Sequence, residues 1–458
     1  MFNAEWFQSL KEVDTFEYRG RVSRVTGMMV EAVLPNASIG ETCVLAPPNQ
    51  PPIMAEIVGL REGKCLMMPL GSSKGLSVGT PVRRTSGDGG IKVGPGCLGR
   101  VLDGLGRPID GLGELEDVVS INNSPRPINP LHRKGIQRPL DLGVRAINGL
   151  LTIGEGQRIA IVAGAGVGKS TLLGMMARNT DAEVVVIGLI GERGREVQEF
   201  VENDLRVDGA LARHVCVVAA TGDEPPSMRL RAANTATTIA EYFRGQGLRV
   251  LLLMDSLTRV VMAQREIGLS VGEPPATRGY PPSAFALIPG LLERTGMGEK
   301  GSITAIYTTL VEGDDPDDPV GDAVRGTTDG HIVLSRSIAE QGQYPAIDVV
   351  KSVSRVMRQV TDEVHQAAAQ TFRQFMVDLN NANELVSLGA YRKGTNPTYD
   401  TALLMAPKLK EFLVQNPDDA VGLDASIRAL EEAVVVPQAE TANPFRREAS
   451  RSYVPLKS

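Results

Sequence analysis

The spacing of hydrophobic and polar residues divides the chain into zones of different periodicity. From about residue 17 to 85, short apolar runs are interrupted at close intervals by glycine and proline. Strands this short, separated by turns this often, are typical of a small barrel or sandwich. We predict a small N-terminal β-barrel over 17–85, with strands at 21–25, 29–34, 42–45 and 53–60.

In the middle of the chain, apolar runs of strand length alternate with helical segments. The predicted strands are 158–163, 184–190, 215–219, 249–254, 302–310 and 331–334. Such alternation predicts a parallel sheet covered by helices on both faces, with ligands bound at the carboxyl ends of the strands. Residues 86–150 are dense in glycine and proline, and we interpret them as an extended connection into this sheet. We therefore assign 86–360 to one α/β domain.

After residue 360 the pattern becomes helical. One apolar stripe at helical spacing consists of Val364, Ala368, Phe372, Phe375, Met376 and Leu379. Helical signals continue to about 434, which predicts a C-terminal α-helical domain over 361–436. The last segment, 437–458, is polar and aperiodic, and we expect it to be disordered.

The first residues form a separate segment. Phe2, Trp6, Leu10 and Val13 recur at helical spacing, which predicts a short amphipathic helix within 1–16. Two interpretations remain open. The helix docks on the body of its own chain, or it binds a partner through the single tryptophan.

A glycine-rich segment lies between a predicted strand and a predicted helix. It consists of Gly164, Ala165, Gly166, Val167, Gly168, Lys169, Ser170 and Thr171. A turn of this kind aims backbone N–H groups at one point, and its glycines let phosphate oxygens approach closely. The pattern predicts a nucleotide-binding P-loop in a RecA-like α/β domain, with Lys169 on the β- and γ-phosphates and Ser170 on Mg²⁺. Residue 163 is alanine, where the formal motif has glycine.

Two acidic residues follow apolar strands. Asp255 ends the strand that begins at 249, and an acid there can hold Mg²⁺ through water. Glu192 follows the strand 184–190, and a carboxylate near the γ-phosphate can deprotonate an attacking water. The alternative for Glu192 is a surface ion pair with Arg193 or Arg195.

Arg355 lies between a strand-like run and the helical domain. An arginine inserted from a neighbouring subunit can stabilise the charge of phosphoryl transfer. From its position in the sequence alone, a salt bridge is a simpler explanation for this arginine than a catalytic role.

Composition narrows the class of protein. Among 458 residues, 42% are hydrophobic and 22% are charged, as in ordinary globular proteins, and the net charge of −6 argues against a nucleic-acid binder. The four cysteines fit neither a metal clip nor a disulfide scaffold, so we expect free, mostly buried thiols in a reducing cytoplasm.

No apolar run reaches the length of a membrane span, and we see no signal peptide. The acidic run 312–322 lacks the spacing of a calcium loop, and we interpret it as a loop.

These segments together resemble the type III protein-export ATPases, which are relatives of the catalytic subunit of rotary ATP synthases. The resemblance extends over nearly the whole chain. It rests on residues 103–111, 143–152, the P-loop with 191–193, 253–259, 274–285 and 329–335.

The resemblance implies a role for individual residues. It implies that Lys169 and Ser170 contact phosphate and Mg²⁺ and that Asp255 belongs to the metal shell. Glu192 would be the base, and Arg193 and Arg259 would contact the γ-phosphate. Arg355 would be the arginine finger that reaches the nucleotide of a neighbouring subunit. It assigns no adenine pocket. The synthase has a stacking aromatic residue eight positions after the equivalent of Arg355, where this chain has Glu363.

The resemblance also implies partners. We expect Mg-dependent ATP hydrolysis by a homohexamer, with a stator-like regulator dimer at the N-terminus, a central stalk, an export gate, and export substrates with their chaperones. We expect a cytoplasmic protein peripheral to the inner membrane. Residues 388–391 are similar to flagellar members. The alternatives are an injectisome ATPase, an inactive assembly subunit, which the presence of Glu192 argues against, and a Rho-like RNA translocase, which would need exposed aromatic and basic residues in its first domain.

Overall fold

The computed structural model describes residues 18–85, 90–121, 128–207, 209–311 and 318–436. The predicted N-terminal helix, most of the acidic run 312–322 and the predicted disordered tail 437–458 lie outside these residues. The described part consists of a barrel, a sheet covered by helices, and a C-terminal group of helices. The predicted fold class is therefore confirmed.

Six antiparallel strands within 18–85 close into a barrel in the order β1-β2-β5-β4-β3-β6. The strands are β1 Arg19–Thr26, β2 Met29–Val33, β3 Thr42–Leu45, β4 Ile53–Arg61, β5 Lys64–Pro69 and β6 Pro81–Arg84. The sequence pattern missed β5 and β6. Strand β5 does not alternate because both its faces are buried, with Met67 inside the barrel and Met68 packed on Ile267 of the next domain. Strand β6 begins with a proline, which weakens a strand signal.

Within the described residues, nine strands form the central sheet, in the order β19-β18-β10-β17-β15-β11-β14-β8 with β16 alongside β17. Neighbours from β18 to β8 are parallel. The other strands that the structure describes, including two small pairs outside this sheet, are β7 Ile91–Val93, β8 Arg100–Leu102, β9 Val119–Ile121, β10 Arg158–Ala163, β11 Val184–Ile190, β12 Arg206–Val207, β13 Ala210–Leu211, β14 Val215–Ala220, β15 Arg249–Asp255, β16 Gly296–Met297, β17 Ser302–Leu310, β18 Gly330–Leu334 and β19 Val353–Ser354.

The segment 86–150 is more than the connection that its composition suggests. Its strand β8 pairs with β14 and completes one edge of the sheet. Arg100 holds the following turn by donating to both carboxylate oxygens of Asp110, at 2.8 and 2.9 Å. A strand of three residues is too short to produce a recognisable alternation.

Helices cover both faces of the sheet. They are α1 Arg145–Leu150, α2 Lys169–Asn179, α3 Gly194–Glu199, α4 Pro226–Gly245, α5 Leu257–Val271, α6 Pro282–Leu292, α7 Pro319–Thr327, α8 Arg336–Glu340, α9 Met357–Val360, α10 Glu363–Ser387, α11 Pro397–Leu413 and α12 Leu423–Ala433. Alternate strand residues face opposite sides. Ile161 and Ile187 pack with α1, α2 and the C-terminal helices, whereas Ala160 and Val186 pack with α4 to α7.

The predicted stripe of α10 is correct except at its first member. Phe372 is buried, and Phe375, Met376 and Leu379 pack at the edge of the core, but Val364 is 65% exposed. The neighbouring His365 is buried instead, with Nε2 2.7 Å from the Gly149 carbonyl oxygen. This hydrogen bond to α1 sets the rotation of the first turn, so a polar side chain takes the inward position.

Two further expectations concern the chain as a whole. All four cysteines are buried free thiols, as predicted. None of the helices in the described residues is both long enough and apolar enough to cross a membrane.

Candidate nucleotide site

The predicted P-loop connects the end of β10 to the start of α2. Gly166 and Gly168 have φ angles of 77° and 86°, a backbone region that favours glycine. Between them, the buried side chain of Val167 fixes the loop to the core. Helix α2 therefore begins with exposed backbone at its N-terminus, where N–H groups and the helix dipole favour an anion.

Lys169 lies at the first position of α2 and contacts both predicted acids. Its Nζ donates a hydrogen bond to Asp255 Oδ1 and lies 3.5 Å from Glu192 Oε1. Lys169 follows β10 through the P-loop, Asp255 ends β15 and Glu192 follows β11. These three strands lie close together in the sheet order. The structure thus brings together three of the predicted site residues.

Asp255 is the last residue of β15, and its side chain is almost completely buried. Besides Lys169, it accepts a hydrogen bond of 2.7 Å from Thr308 Oγ1 on the adjacent β17. The bond holds the carboxylate toward the P-loop. Sequence reasoning did not find Thr308, because nothing in its local pattern indicates which strand is the neighbour of β15.

Glu192 follows β11, and its Oε1 forms an ion pair with Lys169 without a hydrogen bond. Its Oε1 is buried and accepts no hydrogen bond from the described residues. Burial raises the pKa of Glu192 above the ordinary value of 4.5. The positive charge of Lys169 lowers this pKa, whereas the negative charge of Asp255 and a hydrogen bond with Glu196 raise it further. A carboxylate with a raised pKa is a better proton acceptor at neutral pH than an ordinary one.

The alternative for Glu192, a surface ion pair with its neighbours, is not observed. Arg193 pairs with Glu196 at 3.5 Å, and Arg195 pairs with Glu199 at 2.8 Å. The side chain of Arg193 is 86% exposed. The structure therefore does not bring Arg193 into the cluster around Lys169, although the resemblance implies a phosphate contact.

Arg259 is closer to the cluster. It lies in the first turn of α5 and packs on Gly191, where an added Cβ would be only 2.7 Å from Arg259 Cβ. Its Nε is buried and has no hydrogen-bond partner among the described residues. The turn before Glu192 thus needs a glycine so that this arginine can lie beside it.

Arg355 is exposed and lies away from the P-loop of its own chain. Its backbone N–H donates to Asp329, which precedes β18 and lies level with Arg158 at the start of β10. The P-loop follows the other end of β10, roughly 16 Å farther along the strand at ~3.3 Å per residue. Within one chain, Arg355 therefore lies at the amino ends of the parallel strands, and Lys169 lies at their carboxyl ends.

Tyr344 is an aromatic residue at the site that the sequence analysis missed. The residue is 44% exposed, and a Cβ built on Gly168 would lie 3.5 Å from Tyr344 Cδ1. An exposed ring beside a phosphate loop can stack on a base. The only sequence signal is a tyrosine 175 positions beyond the motif, a separation that carries no local information.

The donors around the P-loop fit a magnesium ion. Ser170 is exposed at the start of α2, and Asp255 supplies a carboxylate. Among the described residues, no group of three or more His, Cys, Asp or Glu side chains could hold a metal. This arrangement suits Mg²⁺, which binds through one or two protein oxygens plus phosphates and waters.

Three family models match successive parts of the chain. The ATP synthase alpha/beta family matches with its β-barrel domain at 22–86 and its nucleotide-binding domain at 143–354. The C-terminal domain of the type III secretion system ATPase EscN matches at 361–432. The matches follow the barrel, the sheet domain and the C-terminal helices.

Relatives are similar over almost the full length. The flagellum-specific ATP synthase of Bacillus subtilis is 48% identical over 92% of this chain and 96% of its own. The type 3 secretion system ATPase of Sinorhizobium fredii is 47% identical over 92% of this chain and 93% of its own. The assembled ATPase EscN of enteropathogenic E. coli, solved with its central stalk EscO, is 41% identical, covers 91% of this chain and all of its own, and superposes with a TM-score of 0.82.

Proposed function

Since the chain belongs to the family of flagellum-specific and type III secretion ATPases, we propose that it hydrolyses Mg-ATP to energise flagellar protein export. The observation that carries the chemistry is the contact of Lys169 with Asp255 and Glu192 at the carboxyl edge of the sheet. The Lys169 ammonium is paired with two carboxylates. When nucleotide binds, a phosphate can take the place of the carboxylates as the partner of Lys169, and Mg²⁺ can take the place of the ammonium as the partner of Asp255.

In the proposed reaction, the P-loop N–H groups and Lys169 bind the β- and γ-phosphates. Ser170 and Asp255 would hold Mg²⁺, which supplies neutralisation of the phosphate charge. A water forms a bond to the γ-phosphorus while the bond to ADP breaks, and Glu192 takes the proton of the water. Arg259, beside Glu192, faces the negative charge that develops on the γ-phosphoryl oxygens.

We further propose that the active form is a homohexameric ring. Arg355 is exposed at the edge of the sheet opposite its own P-loop, so it can serve a nucleotide only in another subunit. EscN, which shares this fold, was solved in an assembled state. A closed ring lets each subunit give its finger to one neighbour and receive one from the other.

Further partners belong to the same proposal. Val386 and Leu388 are exposed near the C-terminal end of α10, and Leu388 is 77% exposed. This apolar surface suits a coiled-coil central stalk. A stator-like dimer would bind residues 1–16, and the ring would work in the cytoplasm, peripheral to the inner membrane, beside the export gate with its substrates and chaperones. The flagellar rather than injectisome role rests on residues 388–391.

A deletion strain tests the export role. We expect loss of the gene to abolish flagellar filaments and motility, with full rescue by the parent gene and none by Lys169→Ala. Secretion by any injectisome in the same cell should continue. The opposite result, intact filaments with lost injectisome secretion, would reassign the protein to the alternative system, and an effect on neither would exclude a role in export.

Tyr344 is the proposed platform for the adenine base. Loss of stacking costs about 1–3 kcal/mol, so we expect Tyr344→Ala to weaken ATP binding about 5- to 150-fold. Tyr344→Phe keeps the ring and should bind within about threefold of the parent. Affinity measured for ATP and for inorganic triphosphate separates the base from the phosphates. Equal weakening of both ligands by Tyr344→Ala would contradict stacking and indicate a disturbed P-loop.

A further inference from the structure

Ser256 is a buried residue whose hydroxyl makes no hydrogen bond with the described part of the chain. It occupies the N-cap position of α5, where a serine ordinarily accepts a hydrogen bond from the second or third N–H of the helix. Here the side chain makes no capping bond. The residue is 0% exposed, and its Oγ has no hydrogen-bond partner among the described residues.

Ser256 directly follows Asp255 and contacts the end of the strand that leads to Glu192. Its backbone N–H donates to the Ile190 carbonyl oxygen at 3.4 Å, which ties the start of α5 to the end of β11. Its own carbonyl oxygen accepts from the N–H of Arg259 at 3.1 Å. Ser256 is therefore fixed by its backbone, and the hydrogen-bonding capacity of its hydroxyl is not used by the described residues.

Three buried polar atoms without hydrogen-bond partners among the described residues occur at this one place. They are Ser256 Oγ, Arg259 Nε and Glu192 Oε1, the last of which forms an ion pair with Lys169 at 3.5 Å. Leaving a buried polar group without a hydrogen bond is costly, so each such group in a folded protein requires an explanation. Several such atoms at the ends of two adjacent strands indicate a site that is completed by a polar guest.

Building on the proposed hydrolysis of ATP, we infer that Ser256 Oγ binds the water that attacks the γ-phosphorus. One hydrogen of this water is shared with Glu192 and the other with Ser256 Oγ, so the oxygen lone pair points at phosphorus. As the new P–O bond forms and the bond to ADP breaks, Glu192 takes the first proton. The second hydrogen stays with the oxygen in the phosphate product, and Ser256 is unchanged.

This role differs from capping and from ground-state binding of ATP. A capping serine would stabilise α5, and a phosphate ligand would contribute to affinity. A residue that only orients water contributes to the chemical step, and small losses of alignment can cost up to about 10²-fold in rate. We therefore expect Ser256 to affect kcat, with stability and affinity unchanged.

The test is Ser256→Ala in the full chain, with kcat, ATP affinity and melting temperature measured together. We expect kcat to fall about 10- to 100-fold, affinity to change less than about twofold, and the melting temperature to stay the same or rise, because an unpaired hydroxyl is removed. Ser256→Cys provides a second variant of nearly the same volume with a weak hydrogen-bonding group, and its kcat should fall similarly.

Ser227→Ala is the matched control. Ser227 is also buried in the first turn of a helix, α4, but its Oγ donates to the Pro69 carbonyl oxygen at 2.8 Å. Its loss should lower the melting temperature without lowering kcat, the reverse of the Ser256 result. In a Glu192→Gln background, Ser256→Ala should cause little additional loss, because residues that act on the same water are not additive.

The outcomes separate this inference from the proposed function. If the parent does not hydrolyse ATP, the proposed function is wrong. If the parent is active and Glu192→Gln is not, but Ser256→Ala keeps more than about half of the parent kcat, only the role of Ser256 is wrong. A loss of stability with unchanged kcat would assign Ser256 to the fold, and a loss confined to affinity would assign it to ground-state binding.

Discussion

Glu192→Gln is expected to lower kcat for ATP hydrolysis by about 10²–10⁴-fold while nucleotide affinity stays within a few-fold of the parent. Glutamine keeps the shape and polarity of the side chain but accepts no proton. The carboxylate lies 3.5 Å from Lys169 Nζ, and a glutamine of the same size leaves Lys169 and the P-loop in place. The expected loss is therefore in the chemical step, because the contacts of the P-loop with the phosphates remain. Single-turnover hydrolysis and equilibrium binding measure the two effects separately. Retention of more than about a tenth of the parent kcat would contradict the assignment of Glu192 as the base.

Glu199→Gln is the matched control, since Glu199 is exposed and pairs with Arg195. It should leave kcat within about twofold of the parent. The pH dependence gives a further check. The base must be deprotonated, so kcat rises with pH through the pKa of Glu192, and burial places that rise above the ordinary glutamate value of 4.5. The variant Glu192→Gln should lack this acidic limb.

The same pKa predicts the sign of a stability effect. A carboxyl whose pKa is raised in the folded state favours its neutral form there, so its charged form opposes folding at neutral pH. Neutral glutamine removes this cost, which is largely one of desolvation. We therefore expect Glu192→Gln to melt at the same temperature as the parent or higher at pH 7, and closer to the parent as the pH falls below the pKa. A clear drop in melting temperature at pH 7 would mean that the ion pair with Lys169 outweighs burial.

The second large effect is expected from mixing two inactive variants. Lys169→Ala lacks the phosphate contact, and Arg355→Ala lacks the finger, so each alone should have less than about a hundredth of the parent activity. In a ring assembled from equal amounts of both, a site is intact when its P-loop comes from an Arg355→Ala subunit and its finger from a Lys169→Ala subunit. Random assembly gives this at one half times one half, so about a quarter of the parent activity should return.

This recovery depends on the sheet geometry, because Arg355 lies at the opposite edge from its own P-loop. The control is the double variant Lys169→Ala/Arg355→Ala mixed with either single variant, which offers no intact pair and should recover nothing. Full activity of Arg355→Ala alone would exclude the finger. If rings shown to contain both variants recover no ATP hydrolysis, Lys169 and Arg355 would act on the same nucleotide within one subunit.

The sequence alone determined the local features of the site. A P-loop is a strand, a glycine-rich turn and a helix in immediate succession, so its residues carry the whole pattern. Asp255 and Glu192 were predicted to lie near it because the carboxyl ends of parallel strands meet at one edge. The structure places both beside Lys169. These inferences needed only short-range chain geometry and the general behaviour of parallel sheets.

The tertiary structure decided what depends on residues distant in sequence. Strand β8 pairs with β14, Thr308 donates a hydrogen bond to Asp255, and Tyr344 lies beside Gly168 of the P-loop. Each of these contacts joins segments that are far apart in sequence and are brought together by the order of the strands. Burial, which determines the pKa of Glu192 and leaves the hydroxyl of Ser256 without a partner among the described residues, is likewise a property of the packed molecule. Sequence spacing sets which face of a strand or helix a residue occupies, but solvent exclusion and strand order arise from the sum of long-range contacts, which no local pattern encodes.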